Sequence, residues 1–144
     1  MAVGEAIRDV LADDAGLAAL LTGGIYTYEQ TGRNGISRAA MPDAYESGGF
    51  LRPCAVVKAG DTRAAAAIRD AASGARQVVE VYLYDDGDNG YGTIASARDL
   101  VLALLDRQWI AGAGFVQRRG GADDLRDPKL NNAALARVDF EVVV

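Results

Sequence analysis

The sequence predicts an α+β fold, a mostly antiparallel sheet of about four to five strands with helices packed on one face. Three observations carry that expectation. Apolar residues recur at helical spacing in two places, Ile7 to Leu21 and Ile94 to Leu105. They alternate at period two over RQVVEVYLY (76–84) and LARVDFEVVV (135–144). The segments follow one another without internal repeat or composition break, so the 144 residues are expected to form one domain, a length at which about 70% of the unfolded surface is buried.

Ile7, Val10 and Leu11 line one face of a first helix, and Leu17, Leu20 and Leu21 one face of a second. Asp13 or Asp14 fits between them as the cap of the second helix, because a carboxylate accepts the unpaired N–H groups of a first turn. Gly23-Gly24 ends that helix and Ile25–Tyr28 follows as a short strand. Residues 29–51 are glycine-rich and aperiodic, a long loop of the kind that is usually functional. PCAVVK (53–58) is apolar enough for a strand buried on both faces. Residues 61–74, DTRAAAAIRDAASG, read as a helix whose apolar side is almost all alanine. After the strand over 76–84 and a turn over 85–90 comes the longest helix, about Thr93 to Arg107, with Ile94, Ala97, Leu100, Val101, Leu104 and Leu105. A strand over Phe115–Arg119, a polar loop from Gly120 to Asn132 and a final strand over 135–144 complete the order.

The composition narrows the chemistry. No histidine is present, which removes the commonest general base and the usual zinc ligand. The single cysteine, Cys54, sits in the apolar run CAVV and reads as a small buried hydrophobe. A net charge of −5 disfavours general nucleic-acid binding. No apolar run approaches the roughly 18 residues of a membrane span, and MAVGEAIRD lacks the basic and apolar regions of a signal peptide. A soluble protein made in a cytoplasm, with no membrane contact, is therefore expected.

Two motifs invite a sharper chemistry and fail on spacing. The glycines of YDDGDNGYG, at 87, 90 and 92, fit no phosphate-binding signature, and Asp85, Asp86 and Asp88 would repel phosphate. Counted as a calcium loop from Asp85, the third position is Gly87 and the twelfth Ser96, where ligands are needed. Asp13-Asp14 and Asp123-Asp124 are sequence neighbours in polar segments, not carboxylates converging on a cleft. In RRGGADDLRDPK, acids interleave with Arg118, Arg119, Arg126 and Lys129 and cancel most of the field. No metal site, cofactor or catalytic set is expected.

Taken in order, VLADDAGLAALLTGGIY, RPCAVV, RQVVEVYLY followed by a helix, and RDPKL before ARVDFEVVV, the chain resembles the tail terminator, or tail completion, proteins of long-tailed bacteriophages and phage-like particles. Residues 61–74 look like an insertion beside the shorter connection of that family. The resemblance implies an α+β virion assembly subunit without catalytic residues. Such subunits form a homo-oligomeric ring, usually a hexamer, on the head-proximal end of the tail tube, at the tail–neck junction. There they stop tube polymerisation and join the tail to head-completion or neck proteins, while DNA passes through without specific binding. An acidic channel would suit that passage. Arg and aromatic side chains in the long loops over 29–51 and 118–132 are then the candidate contacts with neighbouring subunits or partners: Arg33, Arg38, Tyr45, Phe50, Arg118 and Arg126. The alternatives are a neck or head-completion connector of the same particle, and a small-molecule-binding or enzymatic α+β domain built on Tyr, Asp and Arg alone.

Overall fold

The computed structural model describes residues 2–31, 35–60 and 76–143. Helix α1 (Val3–Ala12) reverses at Asp13 into α2 (Ala15–Leu20). Of the two adjacent aspartates it is Asp14 that caps α2, accepting the Leu17 N–H at 2.9 Å. The chain then squeezes past the start of the second strand. The Gly23 N–H donates to the Pro53 carbonyl at 2.8 Å, a Cβ on Gly23 would sit 2.9 Å from that oxygen, and Gly24 takes φ +101°. Glycine is required at both positions.

Six strands follow: β1 (Ile25–Thr27), β2 (Cys54–Ala59), β3 (Arg76–Asp85), β4 (Gln108–Ile110), β5 (Gly114–Asp127) and β6 (Ala133–Val143). They form one sheet in the order β1-β2-β3-β6-β5-β4, curled into a half-barrel, with α3 (Gly92–Leu105) crossing between β3 and β4. The expected sheet of four to five mostly antiparallel strands is thereby corrected to a mixed sheet of six. β1 runs parallel to β2, and a three-residue strand, β4, pairs with the start of β5. The polar stretch expected as a loop from Gly120 is strand as far as Asp127, paired with β6 through two register shifts, between Arg118 and Gly120 and between Ala122 and Leu125. Those bulges break the period-two pattern that would have marked a strand. The first is tight: a Cβ on Gly121 would collide with the Arg137 carbonyl oxygen. The helix expected over 61–74 lies outside the described residues.

The three helices cover one face. Ile7, Leu11 and Leu17 from α1 and α2, with Ile94, Ala97, Val101 and Leu105 from α3, bury Val79, Val81 and Leu83 of β3 and Val138, Phe140 and Val142 of β6. β3 and β6 are central, which is why their alternation is so regular. The opposite face is not bare. Met41, Ala44 and Leu51, from the segment expected to be a free loop, pack on Cys54, Val56 and Ala133, flanked by Tyr26, Tyr82 and Tyr84.

Candidate functional site

The covering segment shapes the principal hollows of that second face. Pro42 opens a short 3-10 turn (Pro42–Ala44), and Tyr45 and Leu51 then pair as an isolated antiparallel bridge. The intervening residues close a tight loop in which the Glu46 N–H donates to the Phe50 carbonyl and the Gly49 N–H to that of Glu46, both at 2.8 Å. Leu51 turns inward while Phe50 is left 56% exposed.

Phe50 lines two hollows that also share Asp86, Gly87 and Asn131. One, of about 300 Å³, is lined by Tyr45, Phe50, Leu51, Asp86, Lys129 and Leu130. The other, of about 370 Å³, is lined by Phe50, Asp86, Asp88, Arg126, Asn131 and Asn132. The acidic turn between β3 and α3 is stitched by its own carboxylates. Asp85 Oδ1 accepts from the Asp86 N–H and the Asn89 side chain, and Asp86 Oδ1 accepts from the Asp88 N–H. Asp85 is buried, and its Oδ2 has no hydrogen-bond partner among the described residues. Arg126 fastens this turn to the β5–β6 connection. One guanidinium nitrogen donates to the Gly87 and Asn132 carbonyls, each at 3.0 Å, and the group lies 5.2 Å from the centre of the Tyr91 ring.

The six residues expected as contacts divide. Tyr45, Phe50 and Arg126 converge on the paired hollows, Tyr45 with its ring packed on the second face and its hydroxyl pKa raised by burial and then by Cys54. Arg38 is exposed and donates to the Ser47 carbonyl at 3.4 Å. Arg118 is elsewhere, on β5 near the far rim of the sheet. Arg33 lies outside the described residues. No group of three or more Cys, Asp or Glu side chains is placed to hold a metal among the described residues. Burial, with Asp85 adding to it, pushes the Cys54 thiol up to about 12, so the thiolate that would act as a nucleophile is suppressed at neutral pH. Burial and the Glu80 hydrogen bond likewise push Tyr82 up to about 12.

A second exposed feature lies on the far rim of the sheet, at a tryptophan that the sequence alone reads as a core or sheet-surface residue. Trp109, on β4, is 76% exposed and leans on Phe115, ring centres 5.5 Å apart. The available signal was the pair of aromatics flanking the Gly112/Gly114 bend in WIAGAGF, which a hairpin explains. Exposed Arg107, Arg118 and Arg119 neighbour this rim in sequence or register. At the opposite rim, beside β1, a hollow of about 310 Å³ is lined by Glu5, Arg8, Asp9, Thr27, Glu29 and Gln30.

No family model matches the chain, and no curated protein matches it in sequence. Among solved structures it is similar to a chain of one described as "Virion of native gene transfer agent (GTA) particle". The TM-score is 0.62 and the identity 18%, with 99% of this chain and 94% of that chain covered. The likeness is one of fold along nearly the whole length of both chains.

Proposed function

We propose that this chain is a structural, non-catalytic subunit of a phage-like particle, and that within it the chain serves as tail terminator. In that role copies form a ring, expected to be a hexamer, on the head-proximal end of the tail tube. The ring stops tube growth and offers its other surface to a head-completion or neck protein, and DNA passes through without specific binding. The observation that carries the proposal is the two-way coverage of the fold match to a virion chain. The site chemistry is compatible with it: Asp86 and Arg126 beside Phe50 are engaged in holding turns together, and Cys54 is buried and protonated. Phe50, with half-buried Tyr45 and exposed Arg38 beside it, is the proposed contact for a tube or neck partner, because exposed aromatic and arginine side chains over a shaped hollow carry disproportionate contact energy.

The test is deletion of the coding sequence in a particle-producing strain, followed by electron microscopy. Tails of uncontrolled length lying free of heads are expected. Tails of normal length lying beside unattached heads would transfer the chain to the neck-connector role, and intact infectious particles would remove it from the particle altogether.

A further inference from the structure

A further hollow lies on the second face, where β2 and β3 meet the 3-10 turn (Tyr28–Thr31) that follows β1. Its volume is about 220 Å³, and Tyr28, Ile36, Val56, Lys58, Tyr82 and Tyr84 line it. Strand alternation brings Val56 and Lys58 to one side of β2, and Tyr82 and Tyr84 to the same side of β3, with Val56 directly opposite Tyr82. The Tyr82 and Tyr84 rings stand side by side, centres 6.3 Å apart and 17° from parallel, as an aromatic wall. Lys58 is the informative residue. It is directly opposite Glu80 in the register, yet the Glu80 carboxylate accepts from the Tyr82 hydroxyl at 3.0 Å and lies 3.8 Å from Arg137. Lys58 forms no ion pair with another described residue; its ammonium instead lies 4.8 Å from the ring centre of Tyr28, which is 44% exposed. A contact with a ring face leaves an ammonium able to donate to an oxygen. The hollows at Phe50 both carry Asp86, and the hollow beside β1 carries Glu5, Asp9 and Glu29, whereas no described Asp or Glu lines this one. On a chain of net charge −5 it is an aromatic pocket with a cation and no carboxylate to balance it.

We propose that this hollow receives an aromatic side chain of a partner protein that has an acidic residue next to it in sequence, the ring seating on Tyr82 and Tyr84 and the carboxylate meeting the Lys58 ammonium. The volume is below the roughly 300 Å³ at which sites for whole small-molecule ligands begin, and it suits one side chain. Three tyrosines favour a ring as the occupant, through offset or edge-to-face contact. The unbalanced cation selects a carboxylate over an amide. A protein segment is favoured over a free acid because Ile36 lines both this hollow and one of those at Phe50, so a chain leaving the first pocket continues along the same face to the second. The inference rests on the particle-subunit role proposed above and adds to it the chemistry by which a tube or neck partner is recognised.

The test is NMR titration of the nitrogen-15-labelled full chain with the pentapeptide acetyl-Ala-Phe-Asp-Ala-Ala-amide, with two control peptides in which Asn replaces the Asp or Ala replaces the Phe, and with 3-phenylpropanoate as the free acid. The first peptide is expected to bind with a Kd of about 1 mM and to shift the amides of Tyr28, Val56, Lys58, Tyr82 and Tyr84 saturably. Each control peptide, and the free acid, should bind about fivefold more weakly. Lys58→Gln should bind the Asp and Asn peptides equally while keeping the wild-type spectrum away from the hollow, and Lys58→Arg should restore the preference for Asp. Absence of saturable shifts at the hollow, a control peptide or the free acid binding as tightly as the first peptide, or a preference for Asp that survives in Lys58→Gln each overturns the inference. None of these outcomes touches the particle-subunit role, which stands or falls on the tail-length experiment.

Discussion

The two faces of the sheet are built from different materials. The helix side is a dense aliphatic layer in which α1, α2 and α3 bury Val79, Val81, Val138 and Phe140. The opposite side is closed by an irregular segment that contributes little more than Met41, Ala44 and Leu51. Regular helices satisfy their own backbone groups and can commit a whole stripe to packing. An irregular segment must spend side chains on its own turns, as Ser37 does in accepting the Ala40 N–H and Gln30 in capping Thr27. The lesson is a division of labour: the helix face carries stability, and the other face carries shape, with Phe50 raised on a loop that a stiffer cover would flatten.

That contrast can be broken from its strong side first. Phe140→Ala opens a cavity in the middle of the helix-side core and is expected to cost about 3–5 kcal/mol in urea unfolding. Met41→Ala, an equally buried site under the irregular cover, should cost about 2 kcal/mol, at the low end for such truncations, because a segment with few neighbours can settle into the space. Amide exchange should then quicken over residues 44–51 and stay unchanged in α3. A loss equal to that of Phe140→Ala would erase the contrast.

The second face also has a pH signature. The folded Cys54 thiol titrates near 12, above its unfolded value of 9.0, so the folded state keeps the proton longer. Its contribution is fully present below pH 9 and is lost as pH rises toward 12, at up to about 1.4 kcal/mol per pH unit. Cys54→Ala should flatten that fall, leaving the part due to Tyr26, Tyr45, Tyr82 and Tyr84, whose hydroxyl pKa burial also raises, and thiol reagents should label the native wild type only as slowly as it opens. Arg126→Ala should cost about 1 kcal/mol, since its two carbonyl bonds are exposed, and loosen the turn over residues 86–89 in exchange measurements. Arg38→Ala, on the surface with one long hydrogen bond, should change stability by less than about 0.5 kcal/mol.

What the sequence makes legible follows the same division. α1, α2, α3, β2, β3 and β6 each put a full apolar period against one shared core, so each announces itself. β4 is three residues long and has no period to show, and β5 beyond Arg118 is a strand made by its partner. Its residues RGGADDLRD take their register from β6, and the bulges interrupt any alternation. Missing β4 also hid Trp109, which becomes an exposed aromatic on a rim only when QWI is known to be an edge strand. At the Phe50 hollows, residue type alone pointed to Tyr45, Phe50 and Arg126. Their meeting could not be read, because it depends on the covering segment folding back over β2 and on the β3–α3 turn reaching the β5–β6 connection. Arg126 illustrates the limit: a basic residue in a polar stretch reads as a free contact, yet three local bonding partners hold it as a clamp.

The most direct measurement is a cryo-electron microscopy map of particles from a strain that makes this protein. The account predicts a ring of copies at the head-proximal end of the tail, with the helix face packed within each subunit. Particles complete in head, neck and tail but containing no density that this chain fits would contradict it.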